Sequence, residues 1–204
     1  MNLKEVLSDL QSYSEELGLD LTKPEDRFKW FLASVLYAKR ISAKIAKETF
    51  VNFEQEELTS PQELLNAGWD NLVKVLDSSG YTRYDFSTAT NLLAIAKTIK
   101  EKYGSLENLY SESKSVQDLE NRLLEFRGVG PTCVNIFLRE LRGIWKLAKP
   151  TPSPMAVATA KKIGLDRKHV VRFESQLVRL NLEYCKKHRT SQCPLGNSCP
   201  DKHT

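Results

Sequence analysis

The sequence lacks any apolar run near the roughly 20 residues that a membrane-spanning helix needs. Its first residues, MNLKEVLSDLQS, also lack the basic-then-apolar layout of a secretory signal. The formal net charge of +4 falls short of the strongly basic balance typical of nucleic-acid-binding domains, so it permits DNA binding without requiring it. These absences predict a cytoplasmic protein with no membrane partner.

Period-2 alternation of apolar and polar residues is missing as well, and we find neither an obvious repeat nor a low-complexity segment. Apolar residues instead recur at helical spacing through most of the chain. The clearest interruption is the stretch 147–154, whose three prolines at alternate positions predict an extended loop. The fold class that we expect is therefore all-α.

Cysteine is scarce outside the last twenty residues, which hold three of the four: Cys185, Cys193 and Cys199. In a cytosolic chain, such crowding favours a metal site over disulfides. The fourth, Cys133, is predicted to be a small buried apolar residue.

A very short turn, Arg127-Gly128-Val129-Gly130, joins two helical patterns. Its glycines allow positive φ angles and let another molecule approach the backbone closely. The next helix is predicted to start near Pro131, so its free amides and the positive end of its dipole would form a phosphate site. The alternative is a plain turn between two packed helices.

The wider pattern is Leu-x-x-(apolar)-x-Gly-Val-Gly-Pro, a following apolar helix, a proline-rich loop and C-terminal cysteines. In this order of elements the chain resembles the helix-hairpin-helix (HhH-GPD) DNA glycosylase superfamily, in its endonuclease III-like branch. The resemblance runs from about Lys23 to Pro200, and residues 130–141 are its most specific part. It implies two all-α lobes: a helical barrel lobe of residues 23–142 that includes the hairpin, and a second lobe of 1–22 plus 143–204 with a metal-binding tail at 185–203.

Members of this superfamily flip a damaged base out of the duplex and cut its glycosidic bond. By the resemblance, Thr132 stands where bifunctional members carry a nucleophilic lysine, and Ser153 stands where members carry an aspartate. Ser34 lies near the place of a glutamate in adenine-specific relatives, and no acidic residue occurs from 143 to 165. The family's Lys/Asp lyase mechanism is therefore not expected in this chain.

Two groups of residues are candidate substitutes. One is a loop whose aromatic, basic and acidic side chains could hold a flipped base, with Asp85 as a possible catalytic acid: Tyr81, Arg83, Tyr84 and Asp85. The alternative is a capped turn in which Asp85 caps the next helix and the tyrosines pack inward. The other group is Lys39 and Arg40, which would contact phosphates or fill the gap left by the base, with Lys39 as a possible Schiff-base amine. Two exposed charges at a helix end are the alternative.

The predicted DNA-contacting residues are Lys39, Arg40, Arg127, Gly128, Val129, Gly130 and Thr132. Double-stranded DNA, in damaged form, is the expected partner, and a monomer the expected state. Three functions stay open: a DNA glycosylase with non-standard catalytic residues, a non-catalytic DNA-binding module, and nucleic-acid binding led by a zinc tail.

The tail has the spacing Cys185-x7-Cys193-x5-Cys199-x3-His203. Three thiolates and an imidazole suit tetrahedral zinc, as in CCCH zinc fingers, and His188 is an alternative fourth ligand. The resemblance instead implies a [4Fe–4S] cluster held by four cysteines, and the second of them would fall near Thr190. Zinc, the cluster and no metal are all open.

Overall fold

The computed structural model describes residues 3–196 and residue 199. This part of the chain is helical with no β-strand, which confirms the all-α class. The α-helices, labelled in chain order, are α1 (Leu3–Asp9), α2 (Tyr13–Glu16), α3 (Pro24–Tyr37), α4 (Ala43–Gln55), α5 (Pro61–Ser78), α6 (Asp85–Thr98), α7 (Leu106–Glu112), α8 (Val116–Leu124), α9 (Pro131–Glu140), α10 (Pro154–Lys162) and α11 (Glu174–Leu180). Within the described residues, no helix is long and apolar enough to cross a bilayer.

The chain divides into two compact units. We call Leu17–Pro150 the central unit, and Met1–Glu16 together with Thr151–Thr204 the terminal unit. The sequence prediction drew its boundaries at 22/23 and 142/143, and the contacts assign 17–22 and 143–150 to the central unit instead. Trp145 explains the difference at the second boundary. Its ring stacks on that of Tyr110, in the central unit, with centroids 4.5 Å apart.

Helix α3 runs through the core of the central unit. Pro24 starts it at a position where the missing amide hydrogen costs nothing, and its buried face includes Trp30 and Phe31. The Trp30 indole N–H donates to the Phe137 carbonyl at 3.2 Å. The Phe31 ring lies 5.6 Å from that of Phe126 and 5.0 Å from that of Phe137. These contacts hold two segments against α3: the turn after α8, which contains Phe126, and the body of α9, which contains Phe137.

The core of the terminal unit is formed by apolar residues of α1, α10 and α11, with Leu7, Ala156 and Leu177 fully buried. Arg179 on α11 ties the N-terminal segment to this core, since its guanidinium pairs with Glu16 at 3.0 Å and donates to the Gln11 carbonyl at 2.9 Å. The two distant ends of the chain thus share one hydrophobic core.

Candidate nucleic-acid interface

Residues 125–130 connect α8 to α9 and form the predicted hairpin. Phe126 and Val129 anchor it, with only 2% and 7% of their surfaces exposed, and the Val129 amide donates to the Phe126 carbonyl at 3.1 Å. Arg127, which lies between these anchors, is exposed. The turn therefore buries its apolar residues and presents its basic one to solvent.

The two glycines of the turn have different roles. Gly128 has φ +77°, and a Cβ placed there would lie 2.1 Å from Nδ2 and 2.5 Å from Cγ of Asn91 on α6. Gly130 has φ −116° in the extended region, and a Cβ there would meet no atom within 4 Å. Gly128 thus serves the packing of the turn against α6, whereas Gly130 leaves open space in front of α9.

The first turn of α9 presents unpaired backbone donors. The Gly130 carbonyl accepts from the Val134 amide at 3.1 Å, which begins the helix. No described residue accepts a hydrogen bond from the amides of Gly130, Thr132 or Cys133, and Pro131 carries no amide hydrogen. The Thr132 side chain is exposed. Free amides at the positive end of a helix dipole form an anion site.

Cys133, in the first turn of α9, is buried. Burial raises the pKa of the Cys133 thiol to about 12, and the nearby Lys39 cation acts in the opposite direction. Burial also raises the pKa of the Tyr81 phenol, with a further contribution from Cys133. Cys133 is 1% exposed, as its predicted apolar role requires, and the loop before α6 reaches the end of α3 through the Tyr81 hydroxyl, which donates to the Leu36 carbonyl at 3.0 Å. Lys39 is half-buried and Arg40 is exposed.

The loop proposed as a base pocket needs correction at Tyr81. Its ring is fully buried and its hydroxyl donates to the Leu36 carbonyl at 3.0 Å, so neither ring face is available to a base. Asp85 is half-buried and is the first residue of α6, whose N-cap is Tyr84 and has no side-chain cap, so Asp85 does not cap the helix as the alternative expects. Its Oδ1 accepts from the Phe86 amide at 2.7 Å. Arg83 is exposed, with its guanidinium carbon 5.5 Å from the centroid of the Tyr84 ring.

The two serines that the resemblance aligns with acidic residues both serve helix structure. Ser34 is fully buried and its hydroxyl donates to the Trp30 carbonyl at 2.7 Å. Ser153 caps α10, where its Oγ accepts from the Ala156 amide at 3.3 Å. Neither position carries a charged group that could stabilise a cationic intermediate.

A buried carboxylate that sequence reasoning missed lies beside Ser153. The Ser153 amide donates to Oε1 of Glu174 at 2.8 Å, and only 1% of Glu174 is exposed. In the sequence, Glu174 is a single acid in an apolar helical pattern, one residue after Phe173, and nothing in that spacing relates it to a loop 21 residues earlier. Its contact fixes the start of α10.

The three tail cysteines are half-buried and pack on the core of the terminal unit. Burial raises the pKa of the Cys185 thiol, the Lys162 cation opposes this rise, and Cys193 and Cys199 add to it. Among the described residues, however, no group of three or more His, Cys, Asp or Glu side chains is arranged to hold a metal ion. His188 is exposed, with φ +52°, and His203 lies outside the described residues.

A [4Fe–4S] cluster bound by four thiolates does not fit this tail, because it contains only three cysteines. Zinc bound by three thiolates and a histidine stays a prediction. We expect about one zinc per chain in elemental analysis of the purified protein, and Cys193→Ser should abolish it while Cys133→Ser should not. Iron together with a visible absorbance band would contradict the zinc prediction, and absence of both metals would leave three free thiols.

Neither a scan against protein-family models nor a search of curated proteins finds a match for the chain.

Proposed function

We propose that the chain binds the sugar–phosphate backbone of double-stranded DNA through residues 125–131 and the first turn of α9. The observation that carries this proposal is the set of unpaired amides at Gly130, Thr132 and Cys133 behind open space. A phosphate oxygen is an acceptor that such amides bind, and the absence of a Cβ at Gly130 allows close approach. Contacts of this kind position a protein on DNA without reading its sequence.

Positive side chains near the hairpin support the same partner. Arg127 is exposed in the turn itself, and Lys39 lies close enough to Cys133, in the first turn of α9, to influence its pKa. Arg40 follows as a second cation at the end of α3. Cations in the turn and just after α3 would extend the phosphate-binding surface beyond one helix terminus.

The resemblance to the glycosylase superfamily suggests DNA with damaged or flipped bases as the target. We propose recognition of such DNA without the family's lyase chemistry. Thr132 offers no amine, and Ser153 and Ser34 are occupied as helix cap and core hydroxyl. Lys39, which follows α3 by two residues, stays a candidate nucleophile, and the Asp85 carboxylate accepts from the Phe86 amide.

Arg127→Ala is expected to weaken duplex binding and to reduce the slope of log K against log salt by about one phosphate contact, because one exposed cation is removed from the turn. Fluorescence anisotropy of a labelled duplex at several salt concentrations measures both quantities. Lys114→Ala is the matched control, since it removes an exposed cation at the opposite end of α8. Equal slopes for the two variants would contradict a phosphate contact at Arg127.

Activity is tested by incubating the wild-type chain with duplexes that carry a panel of base lesions, followed by alkali cleavage. Uncleaved lesion strands together with tighter binding to lesion duplexes support recognition without chemistry. Strand cleavage would establish a glycosylase, and borohydride trapping of wild type against Lys39→Met would then show whether Lys39 forms the Schiff base.

A further inference from the structure

The positive charge of the chain is concentrated in its C-terminal segment. Residues 151–204 hold ten Lys and Arg against four Asp and Glu, whereas the central unit, residues 17–150, holds nineteen against eighteen. We call residues 161–168 the basic turn. Four exposed cations and one exposed acid lie in it: Lys161, Lys162, Arg167, Lys168 and Asp166. Cations gathered over so short a stretch create a positive potential that attracts anionic partners.

The basic turn is a chain reversal at the end of α10. The Gly164 amide donates to the Lys161 carbonyl at 3.3 Å, and the next amide along the chain donates to the Ala160 carbonyl at 2.8 Å. With φ +72° at Gly164, these bonds form the Schellman arrangement that ends many helices. Asp166 then caps the helical turn Arg167–His169, which packs against α10. The cations before and after the reversal therefore lie near the same end of α10.

The apolar residues of this segment are buried and offer no apolar contact surface. Ile163, Leu165 and Val170 belong to the core of the terminal unit. Among the described residues of that unit, the exposed large hydrophobic side chains are Val157 and Val171, and neither is aromatic. Protein interfaces depend on aromatic anchors and contain few lysines, and membrane-bound helices need large apolar side chains on one face. A nucleic acid fits better, because protein–DNA interfaces are polar and strongly positive.

Ion pairing within the basic turn leaves two of its cations available. Asp166 is engaged by Lys168, whose amide donates to Oδ1 at 3.1 Å and whose ammonium pairs with Oδ2 at 2.9 Å. Lys161 and Arg167 form no ion pair with a described residue. The dipole of α10 favours a cation at Lys161, in the last turn of the helix, but it gives no reason for the one at Arg167. Both side chains can therefore pair with an external anion.

The acids nearest to the basic turn in the terminal unit have other positions. Arg172 lines a groove with Glu5 and Asp9 of α1, so we do not include it in the basic turn. Glu174 is buried and accepts from the Ser153 amide at 2.8 Å. None of these acids pairs with the two available cations of the basic turn.

We propose that the basic turn is a second DNA-binding surface, at which Lys161 and Arg167 contact backbone phosphates of a double helix. The charge and the burial that favour it belong to the terminal unit alone, whereas the choice of DNA as the polyanion rests on the proposed function. Because phosphate contacts carry no base information, the basic turn adds affinity without sequence preference. An anionic membrane is the competing partner.

The double variant Lys161→Gln/Arg167→Gln is expected to reduce the slope of log K against log salt for duplex DNA by about two, because each lost phosphate contact removes about 0.9. Anisotropy of a labelled duplex at several salt concentrations measures the slope. Lys74→Gln/Lys114→Gln is the matched control, since it removes two exposed cations of the central unit that form no ion pair with a described residue. A wild-type slope in the first variant, or an equal fall in both, would overturn the proposal.

Three further measurements separate the alternatives. Lys161→Arg/Arg167→Lys keeps both charges and should keep the wild-type slope, and a loss in this variant would show that shape rather than charge matters. Sedimentation with phosphatidylserine vesicles tests the membrane: vesicle binding that needs Lys161 and Arg167, with duplex binding that does not, would overturn DNA as the partner. If Arg127→Ala keeps the wild-type slope while Lys161→Gln/Arg167→Gln reduces it, the hairpin proposal fails and the basic turn stands. The reverse result would overturn the basic turn alone.

Discussion

Thr132→Glu is expected to weaken the binding of duplex DNA strongly without destabilising the protein. Thr132 is exposed in the first turn of α9, beside the unpaired amides that we propose as the phosphate site. A carboxylate there would compete for those amides and repel phosphate, so we expect a loss of affinity on the order of a hundredfold at low salt. The same carboxylate interacts favourably with the helix dipole, by about 0.3–1 kcal/mol.

The variant should therefore lose affinity for DNA while its free energy of unfolding stays the same or rises. Anisotropy with a labelled duplex measures the affinity, and urea unfolding measures the free energy of unfolding. Thr132→Gln is the matched control, because it has the same length without the charge and should keep most of the affinity. If Thr132→Glu binds duplex as the wild type does, DNA does not contact the first turn of α9.

Gly128→Ala is expected to lower the free energy of unfolding by about 2–5 kcal/mol. The positive φ of +77° disfavours any residue with a Cβ by about 1–2 kcal/mol, and the contact with Asn91 adds the cost of overpacking, about 1–3 kcal/mol. The hairpin should also shift, so duplex affinity should fall in the variant even where it is fully folded. Urea unfolding and anisotropy measure the two effects.

Gly130→Ala is the control for this prediction, since the Cβ enters open space at an extended φ. We expect it to cost less than about 1 kcal/mol of stability, the difference between glycine and alanine at a helix N-cap. Its duplex affinity should nevertheless fall, because the added methyl group occupies the approach to the amides. Equal unfolding free energies for the two variants would contradict the distinct roles that we assign to these glycines.

The hairpin is the part of the site that local sequence predicts well. Two glycines around a valine, followed by proline, restrict both the turn and the start of the next helix, and the structure begins α9 at Pro131 as expected. Neighbouring residues determine such features, so a short sequence window contains most of the information. The partner of Gly128 is different, because Asn91 lies on a helix far away in sequence and only packing shows it.

Long-range packing also explains the errors. Tyr81 shares a loop with Arg83 and Tyr84, and the sequence pattern alone does not distinguish a ring facing solvent from one whose hydroxyl reaches the Leu36 carbonyl. Apolar residues such as Val170 and Leu177 keep helical spacing, yet α11 begins only at Glu174, after a separate helical turn at Arg167–His169. Trp69 and Phe86 have apolar types that predict burial, so their exposure was not foreseen.

Helix α6 has a geometric consequence for the residues along it. Phe86 and Asn91 are five residues apart, which corresponds to about 7.5 Å of helical rise and about 140° of rotation. The exposed Phe86 ring and the Asn91 side chain, which lies against Gly128, therefore occupy different sides of the helix. A one-residue insertion between positions 86 and 91 would change both this spacing and the rotational phase of the two residues.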